Sequence, residues 1–164
     1  MTVDKDANDQ SQGEALVESY MQRDVYSLSP KATVEDAAKF FIEHSISAAP
    51  VVDEEGRLLG VLADDDLMVE EAQLHIPTIF AALGEVAAWP PAVRRFEEES
   101  RRYLAATVEE AMTKKVVTVT PHNSIEEAAT KMHDHHLRIL PVVSDGKVVG
   151  VLGRRDLLRA LIRR

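Results

Sequence analysis

Hydrophobic and polar positions along the chain fall into two copies of one pattern. Each copy begins with a short apolar segment that ends at a methionine (VESYM, VEEAM), followed by an alternating piece, VYSLSP or VVTVTP. Apolar positions then recur at i, i+3, i+4 and i+7: Val34, Ala37, Ala38 and Phe41, and again Ile125, Ala128, Ala129 and Met132. That spacing lays one apolar stripe along a helix. Thr33 with Asp36, and Ser124 with Glu127, stand where a capping box opens such a helix, a side-chain oxygen meeting an otherwise orphan backbone N–H. Two β-rich runs follow in each copy, APVVD and RLLGVL, then LPVVS and KVVGVL, and the turns DEEG and SDG join them as hairpins. A last helix opens at a charged turn. The predicted order is helix, strand, helix, strand, strand, helix, twice over.

Identities confirm that this is a repeat and not a coincidence of pattern. Val17, Met21, Val25, Pro30, Pro50, Val51 and Val52 return as Val108, Met112, Val116, Pro121, Pro141, Val142 and Val143. After one deletion in the second hairpin turn, Gly56, Gly60, Val61, Leu62, Asp66 and Leu67 return as Gly146, Gly150, Val151, Leu152, Asp156 and Leu157. A single copy of about fifty residues buries too little apolar surface to stand alone. The expected fold is therefore an α/β sandwich of two pseudo-symmetric repeats, with ligand clefts between the halves. Residues 14–72 form repeat one and 107–164 repeat two; 1–13 read as a disordered acidic tail. Residues 73–106 read as a helical insertion, in which a Trp89-Pro-Pro break separates two helices and Trp89 is a packing anchor.

Composition narrows the chemistry. A formal charge of -9 disfavours nucleic acid and anionic membrane as partners. The chain has no cysteine, which removes disulfides, thiolate nucleophiles and thiolate zinc sites. No secretory signal and no bilayer-length apolar stretch is visible, so a cytoplasmic location is expected. His133, His135 and His136 invite a metal reading, but no third ligand spacing is convincing, and no metal is expected. Neither a nucleophilic triad nor a phosphate-cradling glycine loop appears, so no enzyme is expected.

In tandem, M-x₈-P, h-P-V-V and G-h-h-x-x-x-D-L resemble a pair of cystathionine-β-synthase (CBS) domains, a Bateman module, over residues 16–68 and 107–163. The resemblance implies clefts that receive an adenosine-containing ligand: AMP, ADP or ATP, with S-adenosylmethionine or adenosine as alternatives. It implies that Asp66 and Asp156 accept hydrogen bonds from ribose hydroxyls, a task suited to an acceptor-only carboxylate. It places the base against Ser27, Ile46 and Ala48 beside Pro50 in repeat one, and against Thr118, Leu137 and Ile139 beside Pro141 in repeat two. Arg138, three residues before Pro141, falls where the family sets basic residues that reach phosphate. One departure matters: Ala63 and Gly153 stand where the family commonly has Ser or Thr, so neither offers a hydroxyl to the ligand.

The repeated turn also reverses its charge: Asp64-Asp65 in GVLADDDL becomes Arg154-Arg155 in GVLGRRDL. Cations in a first helical turn oppose the helix dipole by roughly 0.3–1 kcal/mol each. A bound anion would reverse that sign, and Gly153, lacking a Cβ, lets a ligand approach the backbone. The second cleft is therefore expected to take an anionic nucleotide, and the first a neutral nucleoside or nothing. The expected function is a stand-alone regulatory, energy-sensing module that binds an adenine nucleotide, signals occupancy to an unknown protein partner and forms a homodimer. The alternative is a ligand-free dimerisation scaffold.

Overall fold

The computed structural model describes residues 15–68 and 105–162. The acidic tail and the insertion up to residue 104, Trp89 included, lie outside the described residues. Repeat one opens with a 3₁₀ turn, Val17–Ser19, and continues through α1 (Val34–His44), β1 (Ala48–Val52), β2 (Leu58–Ala63) and α2 (Asp64–Met68). Repeat two follows with α3 (Val108–Ala111), α4 (Ile125–Asp134), β3 (Ile139–Ser144), β4 (Lys147–Gly153) and α5 (Arg154–Ile162). The predicted order holds with one difference. The alternating piece before each long helix makes only a bridge, Leu28 beside Val51 and Val119 beside Val142, both parallel, and not a strand. Pro30 and Pro121 follow almost at once; lacking an N–H, each ends the ladder there.

Caps and turns follow local chemistry. Thr33 Oγ1 accepts from the Asp36 N–H at 3.1 Å while the Asp36 carboxylate accepts from the Thr33 N–H at 3.3 Å, a complete capping box. At α4 the box is one-sided. Ser124 Oγ accepts from the Glu127 N–H, but the Glu127 carboxylate turns to Asn123 and Lys131 instead. Each hairpin is antiparallel, with a matching register shift at Val51/Val52 and Val142/Val143. Asp145 and Gly146 turn the second hairpin with φ of 51° and 78°, the positive pair a tight hairpin requires.

The packing holds a feature that the repeat pattern does not reveal: the repeats exchange their leading segments. Val17 and Met21 belong to the core of repeat two, with Ile125, Met132, Leu140 and Leu152. Val108 and Met112 belong to the core of repeat one, with Phe41, Val51 and Leu62. Backbone bonds carry the same exchange: Val17 N–H donates to Asn123 O, and Val108 N–H to Ala32 O. Glycine makes it possible. A Cβ on Gly60 would stand 2.5 Å from Met112 Sδ, and one on Gly150 2.7 Å from Met21 Sδ. Each methionine therefore lies across a glycine of the opposite repeat.

Candidate functional site

The exchange builds two clefts. After Met21 the chain runs along the β4 edge, where Gln22 and Val151 trade backbone bonds of 2.9 Å, and then crosses to its own repeat at Leu28. That crossing passes the start of α5. The resulting cavity, about 490 Å³, is lined by Val25, Tyr26, Ile46, Ser47, Ala48 and Pro50 from repeat one and by Gly153, Arg154, Arg155 and Asp156 from repeat two. Its pseudo-symmetric counterpart, about 210 Å³, combines Val116, Val117, His136, Leu137 and Ile139 with Ala63, Asp65 and Asp66. Pockets that bind drug-sized ligands measure roughly 300–1,000 Å³, so the larger cleft falls within that range and the smaller below it.

Sequence reasoning grouped candidate residues repeat by repeat; the structure groups them across repeats. Ile46, Ala48 and Pro50 share the larger cleft with Gly153, Arg154, Arg155 and Asp156, whereas Leu137 stands with Asp66 in the smaller one. Ala48, Arg138 and Ile139 line both. Ser27 lies apart, in a cavity formed with Pro30 and the turn residues Glu54 and Arg57. Thr118 and Pro141 line neither cleft: the Thr118 carbonyl faces Lys131 Nζ at 3.4 Å, and Pro141 is buried within β3. The crossing of the leading segments is the physical reason for the regrouping.

The two aspartates differ in environment. Asp156 is 0% exposed, and its carboxylate is surrounded by donors. Gly153 N–H donates at 2.8 Å and Arg159 Nη1 at 3.1 Å. The Gln22 amide spans both oxygens at 3.3 and 3.2 Å. A buried carboxylate needs such partners, since an uncompensated charge inside a protein is costly. Asp66 is half-buried and accepts from the Ala63 N–H at 2.8 Å. Burial pushes its pKa above the ordinary carboxylate value, helped by the charges of Asp65 and Asp64 and opposed by the Ala63 bond and Arg138.

Arg138 reaches from repeat two to the acidic start of α2. Its Nη2 stands 2.6 Å from Asp65 Oδ2, and its Nη1 3.2 Å from Asp64 Oδ1. Across the larger cleft, Arg154 Nε donates to Leu137 O at 3.1 Å, while Arg155 makes no ion pair among the described residues. Sequence reasoning missed Gln22, whose role depends on a partner far along the chain. It also missed Tyr26, whose ring stacks on His44 at 4.3 Å and forms an aromatic wall of the larger cleft. The histidine cluster brings the His133 and His136 rings only to 6.5 Å, and no metal-holding group occurs among the described residues.

Comparison with known proteins bears on what these clefts are. A family model, the CBS domain, matches residues 17–72 and again 108–163. The chain is 30% identical over 134 residues to the uncharacterized protein MJ1426 of Methanocaldococcus jannaschii, covering 77% of this chain and 80% of that one. Among solved structures it is similar to the CBS domain pair of protein MJ0100 in complex with 5′-methylthioadenosine and S-adenosyl-L-methionine. That match has 25% identity and a TM-score of 0.67 and covers 90% of this chain and 99% of that one. It also shares the fold of CBSX2 of Arabidopsis thaliana, solved in complex with AMP, at 24% identity and a TM-score of 0.69, covering 91% and 97% of the two chains.

Proposed function

The chain belongs to the CBS-domain family, and on that premise we propose that it is a regulatory, non-catalytic module whose larger cleft takes an adenosine-containing ligand with an anionic tail. One observation carries this: a single cavity joins an aromatic and aliphatic wall, the buried Asp156 carboxylate and an arginine-bearing helix start. The base lies between Tyr26 and the Ile46–Ala48 segment. The ribose diol bonds Asp156, replacing the two N–H bonds of the Gln22 amide. Arg154 and Arg155 meet the anionic tail, adding charge-assisted bonds to the favourable end of the α5 dipole. The MJ0100 relative, which holds 5′-methylthioadenosine and S-adenosyl-L-methionine, supports the adenosine half of this assignment. Asp66, beside the acids of α2 in the smaller cleft, disfavours phosphate, and that cleft takes a neutral nucleoside or nothing. The ligand's occupancy is passed to a protein partner, and the chain acts as a homodimer. Leu158, Leu161 and Ile162 of α5, exposed by 58%, 63% and 83%, offer the apolar stripe for that contact.

Titration calorimetry with AMP and adenosine tests the assignment. Arg154→Ala with Arg155→Ala should weaken AMP roughly ten- to hundredfold, the scale of a charge-assisted bond of about 1.5–3 kcal/mol, and leave adenosine nearly unchanged. Equal losses for both ligands would remove the phosphate from this cleft. A second reading rests on the buried Asp156, whose carboxylate already has donors in Gly153, Gln22 and Arg159: the clefts stay empty and the module is a dimerisation scaffold. Absence of binding by every adenine ligand, with a light-scattering mass twice the 18.2 kDa of one chain, would establish it.

A further inference from the structure

We propose that Asp64 and Asp65 set the anion affinity of the larger cleft by holding Arg138, so that the acidic start of α2 is the internal competitor of a phosphate-bearing ligand. The inference rests on the ligand-binding role of that cleft and goes beyond it, because it assigns a regulatory part to residues of the opposite repeat. Arg138 lines both clefts. Its guanidinium is committed to one side: Nε and Nη2 lie 3.2 and 2.6 Å from Asp65 Oδ2, and Nη1 lies 3.4 Å from Asp64 Oδ2. With its Nε/Nη2 edge on Asp65 and Nη1 toward Asp64, the fork is turned to α2, and a phosphate in the larger cleft competes with these carboxylates for it.

The clamp is also incomplete. Asp64 Oδ1 is buried without a hydrogen bond, although Arg138 Nη1 is 3.2 Å away, so that contact is ionic but poorly aligned. Arg138 keeps 34% of its side chain exposed, so solvent screens and weakens the pair. Arg154 donates to the carbonyl of the neighbouring Leu137, and both arginines line the larger cleft, but of the two only Arg138 has acidic partners among the described residues. An anion in the larger cleft compensates both. Drawing Arg138 to that anion leaves the acidic wall of the smaller cleft uncompensated, which couples the two sites reciprocally. The reversed charge of the repeated turn thus acts as a pair: arginines recruit the anion, and the aspartates opposite restrain the third arginine.

The test compares wild type, Asp65→Asn, Asp64→Asn/Asp65→Asn, Arg138→Gln and the triple variant, each titrated with AMP and with adenosine. Partly exposed ion pairs are worth up to about 1 kcal/mol, so releasing Arg138 should strengthen AMP binding roughly fivefold and leave adenosine within twofold. Asp65→Asn alone, which removes the shortest contact with little risk to the fold, should give part of the gain. Arg138→Gln should weaken AMP, and in the triple variant the gain should vanish. A gain that persists without Arg138 is a general charge effect and overturns the proposal, as does an equal gain for adenosine. If wild type binds AMP and the asparagine variants bind it no better, this inference alone fails. If wild type binds neither ligand, the ligand-binding role of the cleft fails with it.

Discussion

Gln22→Ala separates the free state of the larger cleft from its bound state. In the free protein the Gln22 amide donates to both oxygens of a carboxylate that is 0% exposed. Hydrogen bonds to a charged group contribute about 1.5–3 kcal/mol. Distances of 3.3 and 3.2 Å are long for such bonds, and Gly153 and Arg159 still serve Asp156, so the lower end applies. The free protein should lose about 1.5 kcal/mol, read as a lower urea midpoint at unchanged slope. The bound state, in which the ribose diol has taken the place of the amide, should lose almost nothing. The difference appears as affinity: adenosine should bind about tenfold more tightly to the variant. Calorimetry and urea denaturation on the same preparations measure both sides of the cycle. Loss of stability with unchanged or weaker adenosine binding would show that ligand and Gln22 do not compete, and would remove the ribose from Asp156.

Exchange of the leading segments predicts that damage crosses between repeats. Met21→Ala should cost about 2–5 kcal/mol and reduce amide-exchange protection chiefly in β3 and β4, and Met112→Ala chiefly in β1 and β2; protection lost in the repeat that carries the substitution would contradict the exchange. Asp66 gives a pH signature. Its folded pKa is raised, so the folded state binds the proton more tightly than the unfolded chain, and its ionisation costs stability as pH rises through that raised value. Asp66→Asn should therefore stabilise the protein at neutral pH, and the gain should disappear as pH falls below the ordinary carboxylate range. A gain that is flat with pH would mean that burial of the carboxylate is not its cause.

Much of this protein is local and is written in its sequence. Periodicity placed α1 and α4, because the stripe Val34, Ala37 and Phe41, like Ile125, Ala128 and Met132, is buried wherever the helix packs. Turn residues placed the hairpins, since positive φ at Asp145 and Gly146 is a property of those residues and not of their surroundings. The duplicated motifs identified the family, and the carboxylates and arginines of the charged turns were legible as candidates by residue type alone. What sequence could not supply was the pairing of segments between repeats. Val17 and Val108 are the same residue in the same context, and nothing in either copy says which hydrophobic core it enters. Contacts far apart along the chain decide that, and they also carry Gln22 to Asp156 and Arg138 to Asp64 and Asp65. Residue types determined which groups are able to hold a nucleotide. The tertiary crossing decided which of them share a cleft, because Val17 and Met21 are buried in the core of repeat two and Val108 and Met112 in that of repeat one, which carries the connecting segments past the opposite repeat.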